Sequence, residues 1–407
     1  MNEEGKGFLK LSNMEQLMPQ EEMLEFAPQK NQITIGIPNE VSINENRIPL
    51  VPEAVKLLVD NGNKVIIEED AGAGAKFSNQ EYADAGADIA TATNTVYQSD
   101  IILKVAPPTE EEIEMMGKHK VLFSSLFLPN SQKSFFQKLI SKKLIAIAYE
   151  YIQDKSGALP VMKSISEIVG SASVQIASQY LMSNDYGKGK LLAGLPGISP
   201  AKVVIIGAGT IASHAAITAI GMGASVSIFD DSIYKLRNIH RHLGNSIPTS
   251  NFISTDFKLA IEQSDIIISA KFTSNNSTHC FITEDQISRM QPGSVIIDVS
   301  IDQGGCFETS KVTSHSNPVY KVHGVTHYCV PNIASCVPST ASQSLSNVLT
   351  PMLLQISEYG GTENMLKHDS FFRKGVYIYN GILTNNYIGK LFDIPSQDFD
   401  LLMAAFR

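Results

Sequence analysis

The stretch from Ala201 to Asp230, AKVVIIGAGTIASHAAITAIGMGASVSIFD, most constrains what this chain can fold into. Lys202 to Ile206 is a short, β-branched apolar run of the kind buried on both faces of a parallel sheet. Gly207-Ala208-Gly209-Thr210-Ile211-Ala212 then follows the G-x-G-x-x-G/A pattern, with alanine in the last place. In that pattern the first glycine permits a sharp turn and the second lets a pyrophosphate approach the backbone. A small third residue lets the helix lie close to the strand. The helix start offers unpaired N–H groups and the positive end of a dipole to phosphate. Ser225 to Phe229 reads as a second strand ending in Asp230, 21 residues after Gly209. An acid there can accept from both ribose hydroxyls and repels a 2′-phosphate, which favours NAD over NADP. The plainer alternative is a glycine turn of an α/β fold that holds no nucleotide.

A chain of 407 residues is too long for one ordinary core and implies two or three domains. With 43% hydrophobic and 18% charged residues it reads as a soluble globular protein rather than a disordered one. A net charge of −9, with no Lys/Arg block to reverse it, argues against nucleic-acid and membrane-surface partners. No run of about 18 apolar residues predicts a membrane span. Cys280, Cys306, Cys329 and Cys336 form no CxxC pair and no metal-ligand spacing, so reduced thiols and no metal are expected. The acidic N-terminus shows no export signal, and a cytoplasmic location is expected.

Residues 1–30 read as an appendage, with a weak amphipathic pattern from Leu9 to Phe26. Beyond it, strands are predicted at 32–37, 64–68, 101–105, 121–126 and 144–148, with helices at 52–61 and 78–85. Such alternation implies a parallel sheet with helices on both faces. A long helix is predicted from Ser164 to Met182, then a glycine-rich linker from Gly187 to Gly197. The pattern then repeats, with strands near 202–206, 225–229, 265–269, 294–298 and 325–330. A helix from about Ser339 to Tyr359 and a tail through Gly381 follow. The expected fold is α/β, two doubly wound parallel-sheet (Rossmann-like) domains flanking a cleft. Residues 31–160 plus 339–407 form a substrate domain and 161–338 a dinucleotide-binding domain. Clefts of this kind are favoured ligand sites.

Several separated stretches resemble the alanine dehydrogenase and transhydrogenase α-subunit N-terminal family. Ile35-Gly36-Ile37-Pro38 with Asn44-Glu45-Asn46-Arg47 resembles its G-x-P-x-E…N-E-x-R opening, and Asp100 to Val105 its D-x-x-L-K-V strand. Ala148-Tyr149-Glu150 and Ser166-Glu167 match its A-Y-E and M-S-E segments, with Ile165 where methionine is expected. Ile297 to Cys306 and His327 to Asn332 match V-D-x-A-I-D-Q-G-G-C and H-Y-C-V-A-N. The resemblance runs from about residue 32 to 390.

What the resemblance implies is reversible, NAD-dependent oxidative deamination of L-alanine to pyruvate and ammonia. Arg47 and Lys104 occupy its substrate-clamping positions, and a guanidinium and an ammonium suit a carboxylate. Asp302 matches the active-site acid, which also lies beside the cofactor. Asp298 is a lesser claimant, since an acid at a strand end can simply cap the next turn. Gly207, Gly209, Ala212 and Asp230 match the cofactor fingerprint. Ser166, Glu150 and Asn332 are weaker candidates on the cofactor or substrate side. A homo-oligomer, dimer or hexamer, built through the nucleotide-binding lobe, is implied as well.

The pattern breaks at the family's Y-L-H-L-A histidine, where Phe127 lines the expected substrate pocket. Phenylalanine neither donates, accepts nor titrates. The V-L-V-P-G-A-K loop beside the nicotinamide becomes Lys271-Phe272-Thr273-Ser274-Asn275-Asn276, and L-K-V-K-E-P becomes Leu103-Lys104-Val105-Ala106-Pro107-Pro108. His279, His315, His323 and His327 are the histidines that could stand in. Three readings follow. They are an alanine-type dehydrogenase with altered proton chemistry, a dehydrogenase for another 2-amino acid, and a weak or inactive NAD(H)-binding homologue. The transhydrogenase subunit is disfavoured by the Asp302-Gln303-Gly304-Gly305 version of that segment.

Overall fold

The computed structural model describes residues 32–126, 131–244, 246–271 and 282–405. The expected appendage at 1–30, Phe127, the altered stretch from Phe272 to Asn276, His279 and Cys280 lie outside the described residues. The first six strands are β1 (Thr34–Ile37), β2 (Lys64–Glu68), β3 (Asp88–Ala90), β4 (Ile101–Leu103), β5 (Val121–Ser124) and β6 (Ile145–Ala148). Seven more follow: β7 (Lys202–Ile206), β8 (Ser225–Phe229), β9 (Thr249–Ser250), β10 (Ile266–Ser269), β11 (Val295–Asp298), β12 (Val319–Val322) and β13 (Val325–Tyr328). The last two are β14 (Val376–Tyr379) and β15 (Ile382–Leu383).

They form two sheets. The first runs β3-β2-β1-β4-β5-β6-β14-β15 and the second β9-β8-β7-β10-β11-β13-β12. The first sheet therefore contains the doubly wound order 3-2-1-4-5-6, and the second does so once the antiparallel edge strand β12 is set aside. Each reverses direction between its first and fourth strands. Strands β4, β5, β6, β10 and β11 are buried at every residue, as their unbroken apolar runs require. Each lobe thus has a core built on its own sheet.

The expectation of parallel sheets holds except at one edge of each, where β12 and the β14–β15 pair run antiparallel. Two tight hairpins cause this. His323-Gly324 and Asn380-Gly381 each put both residues at positive φ, +51° and +76°, then +49° and +84°. Two consecutive left-handed residues make the type I′ turn, whose twist suits adjacent antiparallel strands.

Four helices position the site: α1 (Pro52–Asp60), α2 (Pro160–Met182), α3 (Thr210–Gly221) and α4 (Pro338–Glu358). In α2, Val161 belongs to the first core and Val169 to Leu181 to the second, while Ile165 packs on both. In α4, Ala341 belongs to the second core and Leu345 to Ile356 to the first. Gly170 of α2 meets α3 nearly backbone to backbone. A Cβ there would stand 2.3 Å from the Ile211 carbonyl oxygen, so only glycine permits this approach.

Candidate active site

In open α/β sheets, ligands gather at the carboxyl ends of the strands, where the strand order reverses. In the first sheet that point lies between β1 and β4. The loop after β1 carries Glu40, Glu45 and Arg47, and Lys104 directly follows β4. In the second sheet it lies between β7, followed by the Gly207 turn, and β10, followed by Lys271. Asp298 ends β11, and Asp302 lies in a short 3-10 turn just beyond.

A cleft of about 920 Å³ takes its walls from both lobes. Arg47, Glu150, Ser166, Asp302 and Asn332 all line it, together with Tyr149, Ile211 and Ile301. Sequence positions nearly 300 apart are thereby brought to one space.

Arg47 is gripped by Glu45: Nε donates to Oε1 at 2.8 Å and Nη2 to Oε2 at 2.6 Å. Burial opposes charge on Glu45, but the adjacent guanidinium outweighs it and holds the carboxyl below its usual range. Asn332, from the other lobe, donates to the same Oε2 at 2.9 Å. It does so from the left-handed region, φ +61°, which asparagine tolerates better than most residues. The Asn46 N–H donates to Ser335, the Ile48 N–H to Ser342 and the Val51 N–H to Ser346, which fixes the Arg47 loop on the start of α4.

Lys104 has a different setting. It is 0% exposed, and Val105 and Ala106 rather than Lys104 form the cleft wall. Its ammonium lies 2.8 Å from Glu112 and 3.2 Å from Glu40. Burial disfavours the charge, yet the two carboxylates outweigh burial and raise the lysine pKa. Burial pushes Glu40 up, as expected where two acids share one cation. Tyr97 closes the cluster with a hydrogen bond to Glu112 Oε1.

The two acids after β11 differ sharply. Asp298 is wholly buried and accepts from the Ser269 and Ser310 hydroxyls and from the Ser300 and Cys306 N–H groups. It organises the turn. Asp302 faces the cleft, and its Oδ1 is buried without a hydrogen-bond partner among the described residues. Burial pushes its pKa up to about 6, with a smaller push from Asp298.

At the second switch point, Gly207 has φ +106°, and a Cβ there would stand 2.7 Å from the Ala270 carbonyl. A Cβ on Gly209 would meet nothing within 4 Å, so its backbone faces open space. Gly209 also opens α3 without a side-chain cap, leaving the first N–H groups to a ligand. Ala212 is fully buried where helix and strand pack. These residues fit a dinucleotide pyrophosphate. Asp230 is 1% exposed, and its two oxygens accept from the Ala208 and Ser232 N–H groups at 2.8 Å each.

Of the histidines considered as stand-ins, His327 is buried in a neutral setting. Its Nδ1 faces the Val325 carbonyl and must carry the proton, so Nε2 accepts from Thr309. Burial pushes its pKa down to about 4. His315 lies against Cys336, with Nδ1 3.2 Å from Sγ, and His323 pairs with Glu284 on the surface. Among the described residues no cluster of His, Cys, Asp and Glu is arranged to hold a metal ion, and no helix is long and apolar enough to cross a membrane.

Sequence reasoning passed over Glu45, Glu40 and Glu112 as partners of the two cations. The Thr109-x-x-Glu112 capping box was visible in the sequence, but it signals a helix start and says nothing about what else the glutamate holds. Asp231 and Lys271, an ion pair of 2.7 Å beside the glycine turn, had no motif to mark them.

Residues 36–169 match the family described as "Alanine dehydrogenase/PNT, N-terminal domain", and residues 173–386 its C-terminal domain. The chain is 36% identical to an alanine dehydrogenase of Mycolicibacterium smegmatis, over 89% of this chain and 98% of that one. It is 38% identical to that of Methanococcus maripaludis, over 89% and 97%. A solved L-alanine dehydrogenase superposes with a TM-score of 0.84 at 34% identity, covering 89% of this chain and all of its own. A Sinorhizobium meliloti transhydrogenase shares the fold at TM-score 0.74 and 23% identity. The chain belongs to the alanine dehydrogenase/PNT family.

Proposed function

We propose that the chain is an NAD-dependent L-alanine dehydrogenase working with a reduced set of proton-handling groups. The observation that carries this reading is Asp302, a cleft-facing carboxyl with one unpartnered oxygen and a pKa near 6. Such a group is ionised at neutral pH and above, yet close enough to neutrality to exchange protons efficiently.

In this reading the alanine carboxylate pairs with the edge of Arg47 that Glu45 leaves open. Gly207, Gly209 and the start of α3 hold the pyrophosphate, with Ala212 keeping helix and strand close. Asp230 stiffens the turn. NAD held there would supply the acceptor for the hydride lost from the substrate Cα. Asp302 takes a proton from the substrate ammonium and releases it to solvent, then takes one from the water that attacks the iminium carbon. It returns that second proton to the nitrogen as the carbinolamine collapses, and the carbinolamine hydroxyl proton leaves on the departing ammonia as ammonium. Ser166 and Asn332 orient substrate and cofactor from opposite walls. Lys104, behind the wall, acts on the substrate only through the position of the Val105–Ala106 segment. A homo-oligomer is supported by an exposed apolar surface of Leu191, Leu195 and Ile198 with Ile217, Ile220 and Met222 at the end of α3. A second copy of the chain would cover it, and light scattering on the eluted protein checks this.

A second reading rests on Phe127 and on the burial of Lys104: a homologue that binds NAD(H) and turns over slowly or not at all. One experiment separates them. NADH formation is followed at alkaline pH with L-alanine and a panel of other amino acids, with NADH binding measured in parallel. Turnover on alanine supports the dehydrogenase, turnover only on another amino acid moves the substrate, and binding without turnover selects the second reading.

A further inference from the structure

The ends of β7, β8 and β10 lie side by side in the second sheet, with Ile206 paired to Phe229 on one side and to Ser269 on the other. The glycine turn leaves the middle strand. Asp230 and Asp231 leave one neighbour, and Ala270 and Lys271 the other. Lys271 reaches across this gap: its Nζ lies 2.7 Å from Asp231 Oδ1 and 4.5 Å from the centre of the Phe252 ring. The Lys271 side chain is 11% exposed and that of Asp231 is 70% exposed. Asp230, the acid expected to read the ribose, already spends both oxygens on backbone N–H groups. The carboxylate offered to solvent at this end of β8 is that of Asp231.

We infer that Asp231 and Lys271 together discriminate at the 2′ position of the cofactor's adenosine ribose. Lys271 is a phosphate-binding cation kept out of use by Asp231. This inference rests on reading Gly207 to Asp230 as a dinucleotide site. A pyrophosphate on that turn places the adenosine ribose at the end of β8, beside the acids. An ammonium on an aromatic face at that place is suited to a 2′-phosphate. Asp231 occupies it instead: Lys271 and the neighbouring Asp230 carboxyl hold Asp231 ionised, while burial pushes Asp230 up, so the exposed negative charge here is that of Asp231. A 2′-hydroxyl is accepted there, whereas a dianionic 2′-phosphate has to displace the Asp231 carboxylate and remain beside it. Removing the Asp231 charge therefore lifts that repulsion and lets the phosphate compete for Lys271.

The test is fluorescence titration of NADH and NADPH into the full chain, as wild type, Asp231→Asn, and Asp231→Asn with Lys271→Met. Wild type is expected to bind NADH more tightly. Asp231→Asn should improve NADPH binding relative to NADH by about tenfold, the scale of gaining one close charge pair and losing one repulsion at a solvent-accessible site. The double variant should lose that gain. An unchanged NADPH-to-NADH ratio in Asp231→Asn, with NADH still bound, overturns the inference. So does a gain that persists without Lys271, because relieved repulsion alone would then explain it. Wild type that binds neither nucleotide overturns the dinucleotide reading itself.

Discussion

Glu45 holds Arg47, a residue of the cleft wall, along one edge of the guanidinium, through Nε and Nη2, and engages neither Nη1 hydrogen. A carboxylate ligand can therefore dock end-on without breaking the pair. Arg47→Lys keeps the charge but loses the planar fork. It should lower kcat/KM for the amino acid by about 100-fold, since misplacement by an ångström carries that cost. Glu45→Gln weakens the grip rather than the charge that meets substrate, and should act mainly by raising KM. Steady-state kinetics over substrate concentration distinguishes the two patterns.

Asp302 links proton chemistry to stability. Its pKa is about 6 in the folded chain against a reference of 3.8. Between those values the folded state binds more protons, so this group's contribution to stability falls as pH rises from about 4 to 6. Asp302→Asn removes the penalty. It should abolish turnover yet stabilise the protein by about 1–3 kcal/mol at pH 8, with no gain near pH 3. Urea titrations at the two pH values check the sign.

Lys104 lies between two buried carboxylates, 2.8 and 3.2 Å away. Lys104→Met leaves both unpaired and should cost about 3–5 kcal/mol at neutral pH, the scale for breaking a buried ion pair. Adding Glu112→Gln should recover part of that loss. A substrate-clamping lysine exposed to the cleft would show little change in the same denaturant titration.

On the reading proposed above, Phe127 takes the place of the family histidine, and a positioned acid or base is worth about 10²–10⁴ in rate. Phe127→His should therefore raise kcat for alanine at least about tenfold, with a new pH dependence near the usual histidine range. An unchanged rate would mean that Asp302 already carries the proton traffic alone.

Much of this was readable from the chain because it is local. The β-branched runs gave β7, β8, β10 and β11 within a residue or so, and Gly207-Ala208-Gly209 marked the turn. The expected helix at Ser164 starts earlier, at Pro160, where proline suits a first helical turn. The strands β3 and β12 were missed because they are short and partly exposed, so no strong periodicity marks them. Asn380-Gly381 was a hairpin signal in plain sight. Partners were the least legible. Glu40 and Glu112 come to Lys104 from across the fold, and nothing in their local sequence says which cation they face. The same holds for Asp230, whose hydrogen bond from the Ala208 N–H depends on how the folded turn brings them together.

The two helices that pass between the lobes, α2 and α4, have one further consequence. Each contributes one end to one core and the other end to the second. Neither core is therefore complete without helices anchored in its neighbour. Cutting the lobes apart would strip Val161 and the Leu345–Ile356 face from Val169 to Leu181 and Ala341, exposing apolar surface on both fragments. Two sheets with two separate interiors should consequently melt in calorimetry as a single cooperative block.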